Sequence, residues 1–344
     1  ERPNGKRVGV TPNGVKSLLQ AGFDVTIERD STRAISIESY SGAQVAGTGD
    51  WRSAPKEAII IGLKELPEEI TPLHHRHIMF GHAFKDQPDG QKLLERFQAG
   101  GGTLYDLEYL TDDTGRRVAA FGYWAGYAGA AVAIKSWAAA QKGNICQPLQ
   151  TFASAKDLNA DVASDLGKKN PSVIIIGANG RVGSGAQDFC AALGASVTCW
   201  DIEETAHGGP FPEILDHDIF LNCILANKNT PVFVPKKAKI GPRKLMVIGD
   251  IACDPGSFYS PIKVYDCATS WEKPALRVHK DKILDITAID NLPSLLPKES
   301  SEDFAAQLLP HLMMLQEIEK GVWGKACAIF NEYISRTNAA KSQS

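Results

Sequence analysis

Residues 172–201 read SVIIIGANGRVGSGAQDFCAALGASVTCWD, and this stretch decides the fold class. Its apolar opening, 172–176, predicts a strand. Gly177, Gly180, Gly183 and Gly185 punctuate the turn that follows, 181–193 predicts a helix, and 195–200 predicts a second strand that ends at Asp201. Strand, glycine-rich turn and helix in this order suit a pyrophosphate. The glycines allow a tight turn and a close backbone approach, and the helix start offers N–H groups with a partial positive charge. The spacing is G-x-x-G-x-x-G rather than the strict G-x-G-x-x-G. The loop therefore gains weight from Asp201, which can accept hydrogen bonds from an adenosine ribose and repel a 2′-phosphate, favouring NAD over NADP. The rival reading is a structural strand-to-helix turn followed by a solvated aspartate.

Outward from this loop, strands and helices alternate. Apolar strands are predicted at 218–224, 245–248, 262–265 and 283–289, and the tail from 302 to 333 reads as helical. Towards the N-terminus, Thr11-Pro12 marks a helix start, with Thr as the cap and Pro in the first turn. Val15, Leu18 and Leu19 give that helix an apolar stripe that stops at Gly22. Residues 23–28, 78–81 and 103–105 read as strands, and 58–63 (AIIIGL) as a strand buried on both faces of a parallel sheet. A helix over 90–99 is closed by Gly100, Gly101 and Gly102. A longer helix over 123–141 carries small residues that permit close packing against a neighbour. The polar stretch 142–171 reads as a crossing towards the glycine-rich unit. Alternating strands and helices imply an α/β protein. The expected architecture is two Rossmann-like domains with parallel sheets, separated by an active-site cleft. Residues 1–124 plus 302–344 would form the substrate domain, and 125–301 the NAD-binding domain.

Composition excludes several classes. The chain has 344 residues, 37 Lys+Arg against 40 Asp+Glu and a formal charge of −3, which lacks the basic footprint of a nucleic-acid binder. Seven cysteines, at 146, 190, 199, 223, 253, 267 and 327, form no CxxC and suggest reduced thiols in an intracellular protein. The apolar stretch 118–134 falls short of the about 20 residues of a membrane span. A cytoplasmic location is expected, and the ending KSQS carries no SKL-type peroxisomal address.

The first third places ionisable residues after its strands: Lys64 and Glu65 after AIIIGL, His82 and Lys85 after IMFG, and Glu108 after TLYDL. Arg116 and Arg117 follow a turn. Strand carboxyl ends share one sheet edge, so these groups can converge. Cations there suit an anionic substrate: Arg grips carboxylates in bidentate fashion, and Lys and His exchange protons when their pKa values are tuned. Each residue taken singly also has an ordinary reading as a solvated lysine, a hydrogen-bonded structural histidine or a surface arginine pair. His74, His75 and His77 lack a partner at familiar ligand spacing, so no metal is expected.

The strings IIGLKELPEE, HIMFGHAFKDQ, GTLYDLEYL and GRRVAAFG resemble the NAD-dependent, lysine-forming saccharopine dehydrogenases of fungi. So do IIIGANGRVGSGA, WDIEETAHGGPF, IFLNCI and AIDNLPSLLPKESSEDF in the second half. The layout is more distantly similar to alanine dehydrogenase and the NAD-binding transhydrogenase subunit. The resemblance implies conversion of saccharopine, NAD and water to L-lysine, 2-oxoglutarate and NADH, the last step of the α-aminoadipate route. It implies Lys64 and His82 as the acid–base pair, tuned by Glu65 and Glu108. Arg7 (in KRVGVTP), Lys85, Arg117 and Phe121 would contact substrate. Arg116, Gly177, Gly180, Arg181, Gly183, Asp201, Thr205, Leu225, Ile251, Ile289, Asp290, Asn291 and Leu292 would contact NAD. The chain departs from the family pattern in three places. The short strand before the first helix is missing, Gln87-Pro88-Asp89-Gly90 stands where a tryptophan is expected, and Val182 replaces a cysteine of some members.

Saccharopine carries three carboxylates, which gives the arginines work. The implied partners are therefore small molecules (saccharopine, L-lysine and 2-oxoglutarate), with neither nucleic acid nor membrane; the oligomeric state is left open, and a monomer is compatible with it. Two rivals stand beside this reading. One is an alanine-dehydrogenase-like enzyme for a smaller amino acid, disfavoured by the WDIEETAHGGPF and LPSLLPKES blocks. The other is a catalytically silent NAD-binding module, which need not keep Lys64, His82 and Arg117.

Overall fold

The computed structural model describes residues 5–341 apart from 65, 68 and 85–87. The chain divides into two compact units, one running to Ala120 and resuming at Ser300, the other comprising Phe121–Glu299.

The first unit begins with α1 (Pro12–Gln20). Thr11 caps it, its hydroxyl accepting from the Gly14 N–H at 3.4 Å, and Val15 and Leu18 face inward. The strand expected at 23–28 is confined to β1 (Thr26–Glu28), which pairs in parallel with β2 (Gln44–Ala46) in a separate small sheet. Three further strands form a parallel sheet in the order β3 (Ile59–Ile61), β4 (Arg76–Met79) and β5 (Thr103–Asp106), with α2 (Pro88–Gly100) between the last two. The expectation that AIIIGL is buried on both faces is corrected. β3 is the edge strand and its three residues are only half-buried, whereas the inner strand β4 ends in three buried residues. The glycine triplet after α2 has a steric cause. A Cβ on Gly100 would lie 2.1 Å from the Leu73 carbonyl oxygen, and one on Gly102 would lie 2.5 Å from those of Leu73 and His75.

The second unit is built around α3 (Gly122–Ala140), which is buried along most of its length. The polar stretch 142–171 is no mere crossing. It contains α4 (Ala155–Leu166), whose Leu158, Val162 and Leu166 recur at helical spacing and join the core around α3. The sheet follows: β6 (Ser172–Ile176), α5 (Arg181–Ala192), β7 (Ser196–Trp200), the short α6 (Ile202–Thr205), β8 (Ile219–Asn222), β9 (Val247–Asp250), β10 (Leu276–His279) and β11 (Leu284–Thr287). Strand order is β10-β11-β9-β8-β6-β7. Five strands run parallel, and β10 is an antiparallel edge that sequence reading overlooked. The apolar run 262–265 does not form a strand; Pro261 precedes it, and only a single bridge, Val234 to Ile262, is made. The small residues of α3 meet α5. A Cβ on Gly126 would lie 1.8 Å from the Val182 carbonyl oxygen, and one on Gly185 would lie 1.9 Å from that of Tyr123.

The chain returns through α7 (Pro297–Leu312) and α8 (Gly321–Lys341). Within the first unit α8 packs on β5 and α2: Trp323 meets Tyr105 edge to face at 6.0 Å, and Phe330 meets Phe97 of α2 at 5.7 Å. Among the described residues no helix is long and apolar enough to cross a membrane. All seven cysteines are free.

Candidate functional site

In the first unit the three parallel strands deliver their following residues to one edge. Lys64 follows β3 by three residues, His82 follows β4 by three, and Glu108 follows β5 by two. The structure brings Lys64 and His82 to the Phe80 ring, and Glu108 to His82. Lys64 Nζ lies 5.9 Å from its centroid, and the His82 imidazole stacks on it at 6.3 Å with 21° between planes. Phe80 is itself fixed by Phe304 of α7, 5.9 Å away. His82 Nδ1 lies 3.2 Å from Glu108 Oε2. A carboxylate oxygen only accepts, so Nδ1 carries the hydrogen and Nε2 holds the lone pair of the neutral ring. His82 also has φ of 49°, a left-handed backbone that costs a non-glycine residue about 1–2 kcal/mol. Strain of this kind is retained where the surrounding structure over-determines it.

The other residues expected near this edge are placed as follows. Arg7 is buried, at 4% exposure. Arg116 and Arg117 lie exposed on a hairpin whose rungs are Thr111–Arg117 and Val118 N–H to Leu110 O. The Asp112 carboxylate ties its tip, accepting from the N–H groups of Thr114 and Arg116 and from the Thr114 hydroxyl, and these bonds hold its pKa below the usual value. Phe121 stands at the start of α3 in the second unit. Glu65 and Lys85 lie outside the described residues. The three expected non-ligand histidines have structural occupations. His74 Nδ1 bonds Gly100 O, His75 Nε2 bonds Ala54 O, and the buried His77 ring meets Trp51 and Phe97 edge to face. Burial, with His75 beside it, pushes the His77 imidazole down to about 4.

In the second unit the glycine-rich turn sits at the carboxyl end of β6, where the chain passes first to β7 on one side and then to β8 on the other. Such a switch point is where open α/β sheets bind ligands. Gly177 has φ of 88°, and its N–H and that of Ala178 bond to Trp200 O. Gly183 has no room for a side chain, since a Cβ would lie 2.2 Å from Gly177 O and 2.5 Å from Ala178 O. Gly180 caps α5 without a side chain, so the first turn of this 12-residue helix keeps its N–H groups for something other than a side-chain cap. Asp201 Oδ2 accepts from the Asn179 N–H at 2.8 Å and Oδ1 from the Ile202 N–H at 2.9 Å. The Thr205 hydroxyl closes back on Asp201 O at 2.8 Å. Asp201 thus shapes the loop. The turn fits a dinucleotide pyrophosphate: bare glycine at the approach, a helix start behind it and a carboxylate at the next strand end.

The remaining expected cofactor residues follow strands along this same edge: Leu225 after β8, Ile251 after β9, and Ile289, Asp290, Asn291 and Leu292 after β11. Leu225 is 81% exposed and offers its side chain. Ile251, Ile289 and Leu292 are buried in the core around α3. Sequence reading passed over the polar groups beneath this edge. Asn222 and Asp250, paired in register at the ends of β8 and β9, are almost fully buried. Asn222 Nδ2 donates to Asp250 Oδ1 at 2.9 Å, and the Tyr265 hydroxyl donates to Oδ2 at 2.5 Å. Burial raises the Asp250 pKa despite these bonds. Asp106, at the end of β5, was likewise passed over. The available signal was the same in each case: a polar residue closing an apolar strand.

The sequence profile of the family described as "Alanine dehydrogenase/PNT, N-terminal domain" matches residues 1–128. A saccharopine dehydrogenase [NAD(+), L-lysine-forming] of Candida albicans is 42% identical over 364 residues, covering 97% of this chain and 95% of that one. The protein of the same name from Candida glabrata is 43% identical, covering 97% and 95%. Among solved structures, an L-alanine dehydrogenase superposes with a TM-score of 0.67 at 19% identity, covering 92% of this chain and 88% of that one, a likeness of fold. At such identity over nearly the whole of both chains, this chain belongs to the family of the NAD(+)-dependent, L-lysine-forming saccharopine dehydrogenases.

Proposed function

We propose that this chain catalyses the NAD-dependent oxidative cleavage of saccharopine, with water, to L-lysine and 2-oxoglutarate. The observation that carries the reading is the arrangement of an amine and an imidazole about one aromatic ring at a strand-end edge, with a carboxylate on the imidazole. Bound NAD supplies the hydride acceptor. Gly177, Gly180, Arg181, Gly183, Asp201 and Thr205 would hold its phosphates and ribose, with Leu225, Ile251 and residues 289–292 contributing along the same edge. Arg7, Arg117, Lys85 and Phe121 would orient the substrate, the arginines through its carboxylates. Lys64 Nζ takes the proton of the secondary amine, because only the neutral amine can release a hydride from the adjoining carbon. His82 Nε2 then takes a proton from the water that adds to the resulting imine. It returns that proton to nitrogen and then, neutral again, takes the hydroxyl proton of the carbinolamine as the C–N bond breaks, leaving ketone and free amine. Glu108, accepting from Nδ1, fixes the tautomer that leaves Nε2 to exchange the proton. A reducing, cytoplasmic setting belongs to the same reading, since all seven cysteines are free thiols.

The test is turnover of purified protein with saccharopine and NAD, followed by NADH formation and by chromatography of lysine and 2-oxoglutarate. Equimolar appearance of all three products supports the proposal. NADH formation with alanine but not saccharopine would replace it with a smaller-substrate deaminase, and NAD binding without turnover would replace it with a silent module.

A further inference from the structure

One buried carboxyl beside the acid–base pair has no part in the mechanism above. Asp106 ends β5 and is completely buried. Its Oδ1 accepts from the Glu108 N–H at 2.9 Å. The same carboxylate also takes a backbone bond from Gly81, the residue before His82. Gly81 faces the same group: a Cβ built there would lie 3.4 Å from Oδ2. Asp106 therefore touches the backbone of both arms of the pair, the residue before His82 on one side and Glu108 itself on the other. Burying a carboxyl is unfavourable, and burial raises its pKa despite the bonds from Glu108 and Gly81. Its neighbours Leu104, Tyr105 and Leu107 are apolar and buried.

We infer that Asp106 is a positioning residue: by fixing the Glu108 N–H it sets the direction of the Glu108 side chain and so keeps the carboxylate on His82 Nδ1. The inference rests on the acid–base role given above to His82. Glu108 stands two residues beyond the strand, where the ladder no longer holds it. Its N–H is held by Asp106 Oδ1, between the Leu107 N–H on Met79 O and the Tyr109 N–H on Asp106 O. Release of that bond lets the carboxylate swing from the imidazole, and the ring loses the partner that fixes its tautomer.

The test uses the full-length protein with Asp106→Asn, which keeps an acceptor at the Oδ1 position, and Asp106→Leu, which fills the same shape without one. D106A deletes the acceptor without adding bulk and stands in should the leucine variant fail to fold. Asparagine is expected to keep kcat within about threefold, because the neutral acceptor makes the same bond. Leucine should lower kcat by about 10- to 100-fold with KM for NADH unchanged, the size of effect expected when a catalytic group is misplaced by about 1 Å. A second readout needs no turnover: the ring ¹⁵N signals of His82, assigned by their loss in H82Q, should shift from the Nδ1–H tautomer to a mixture in D106L and stay in place in D106N. Wild-type kcat and wild-type His82 signals in D106L would overturn the inference, and so would equal losses in both variants. Failure of the wild type to turn over saccharopine would sink the functional reading alone, because the ring signals still decide whether Asp106 positions His82.

Discussion

Two glycines of the nucleotide loop, three residues apart, should respond to the same substitution in opposite ways. At Gly183 an alanine Cβ would sit 2.2 Å from Gly177 O, 2.5 Å from Ala178 O and 2.6 Å from Ala178 Cα. All three atoms are main chain and cannot swing aside. The loop cannot retreat either, since the N–H groups of Gly177 and Ala178 are bonded to Trp200 O at 2.9 and 3.1 Å. Overpacking of this kind costs about 1–3 kcal/mol. For a unit of this size that corresponds to about 2–4 °C of Tm per kcal/mol. At Gly180 the nearest atom to an alanine Cβ is Gly177 O at 3.5 Å, an ordinary contact, and φ −79°, ψ 170° is open to any residue. G180A should therefore keep the wild-type Tm. What it obstructs is the approach of a pyrophosphate to the start of α5, and NAD should bind about 10- to 100-fold more weakly, the worth of one or two hydrogen bonds to a charged group. Thermal unfolding without cofactor and fluorescence titration with NADH separate the two effects. Wild-type NADH affinity in G180A would refute the placement of the pyrophosphate at this loop. Wild-type Tm in G183A would refute the steric argument.

Four other substitutions test other parts of the account. Lys64→Met and His82→Gln should each lower kcat by about 100- to 10,000-fold while leaving Tm and NADH affinity unchanged, measured by steady-state turnover and titration; wild-type turnover in either would remove that residue from the mechanism. His77 is neutral in the fold and its imidazole titrates near 4, against about 6.5 when exposed, so below pH 6.5 the unfolded chain binds a proton that the folded chain does not. Stability should hence fall as pH drops from 6.5 towards 4, by at most about 3 kcal/mol, and His77→Phe, which keeps a ring against Trp51 and Phe97, should flatten that slope in urea titrations. Asp201→Ala removes both the α6 cap and the tie to Asn179, which should cost about 1 kcal/mol of stability and raise kcat/KM with NADP relative to NAD. An unchanged cofactor ratio would mean that the carboxylate does not face the ribose.

What the sequence made legible follows from what single residues can and cannot do. The loop at residues 177–185 was readable because only glycine tolerates the φ of Gly177 and the crowding at Gly183. Thr11-Pro12 was readable because the cap and the fixed proline φ act within one turn. The helix Ala155–Leu166 was hidden because three apolar residues on one face suffice to bury it against α3, while the other nine make the stretch read as a linker. β10 was hidden because an antiparallel edge strand needs only one good face. The run at 262–265 misled for the opposite reason, its apolar side chains being buried from an irregular backbone. In the first unit, Lys64, His82 and Glu108 could be named as strand followers, but the meeting of Lys64 and His82 at Phe80, and of Glu108 with His82, depends on the register of three strands that lie far apart in sequence. Asp106, Asn222 and Asp250 escaped notice because a polar residue at a strand end looks solvated until the sheet closes over it.

The most direct test is the initial rate of NADH oxidation when L-lysine and 2-oxoglutarate are supplied separately and together. The account predicts no oxidation with either alone, saturable oxidation with both, and saccharopine as the product by mass spectrometry. Oxidation that needs ammonia in place of lysine, or no oxidation by protein that binds NADH, would contradict it.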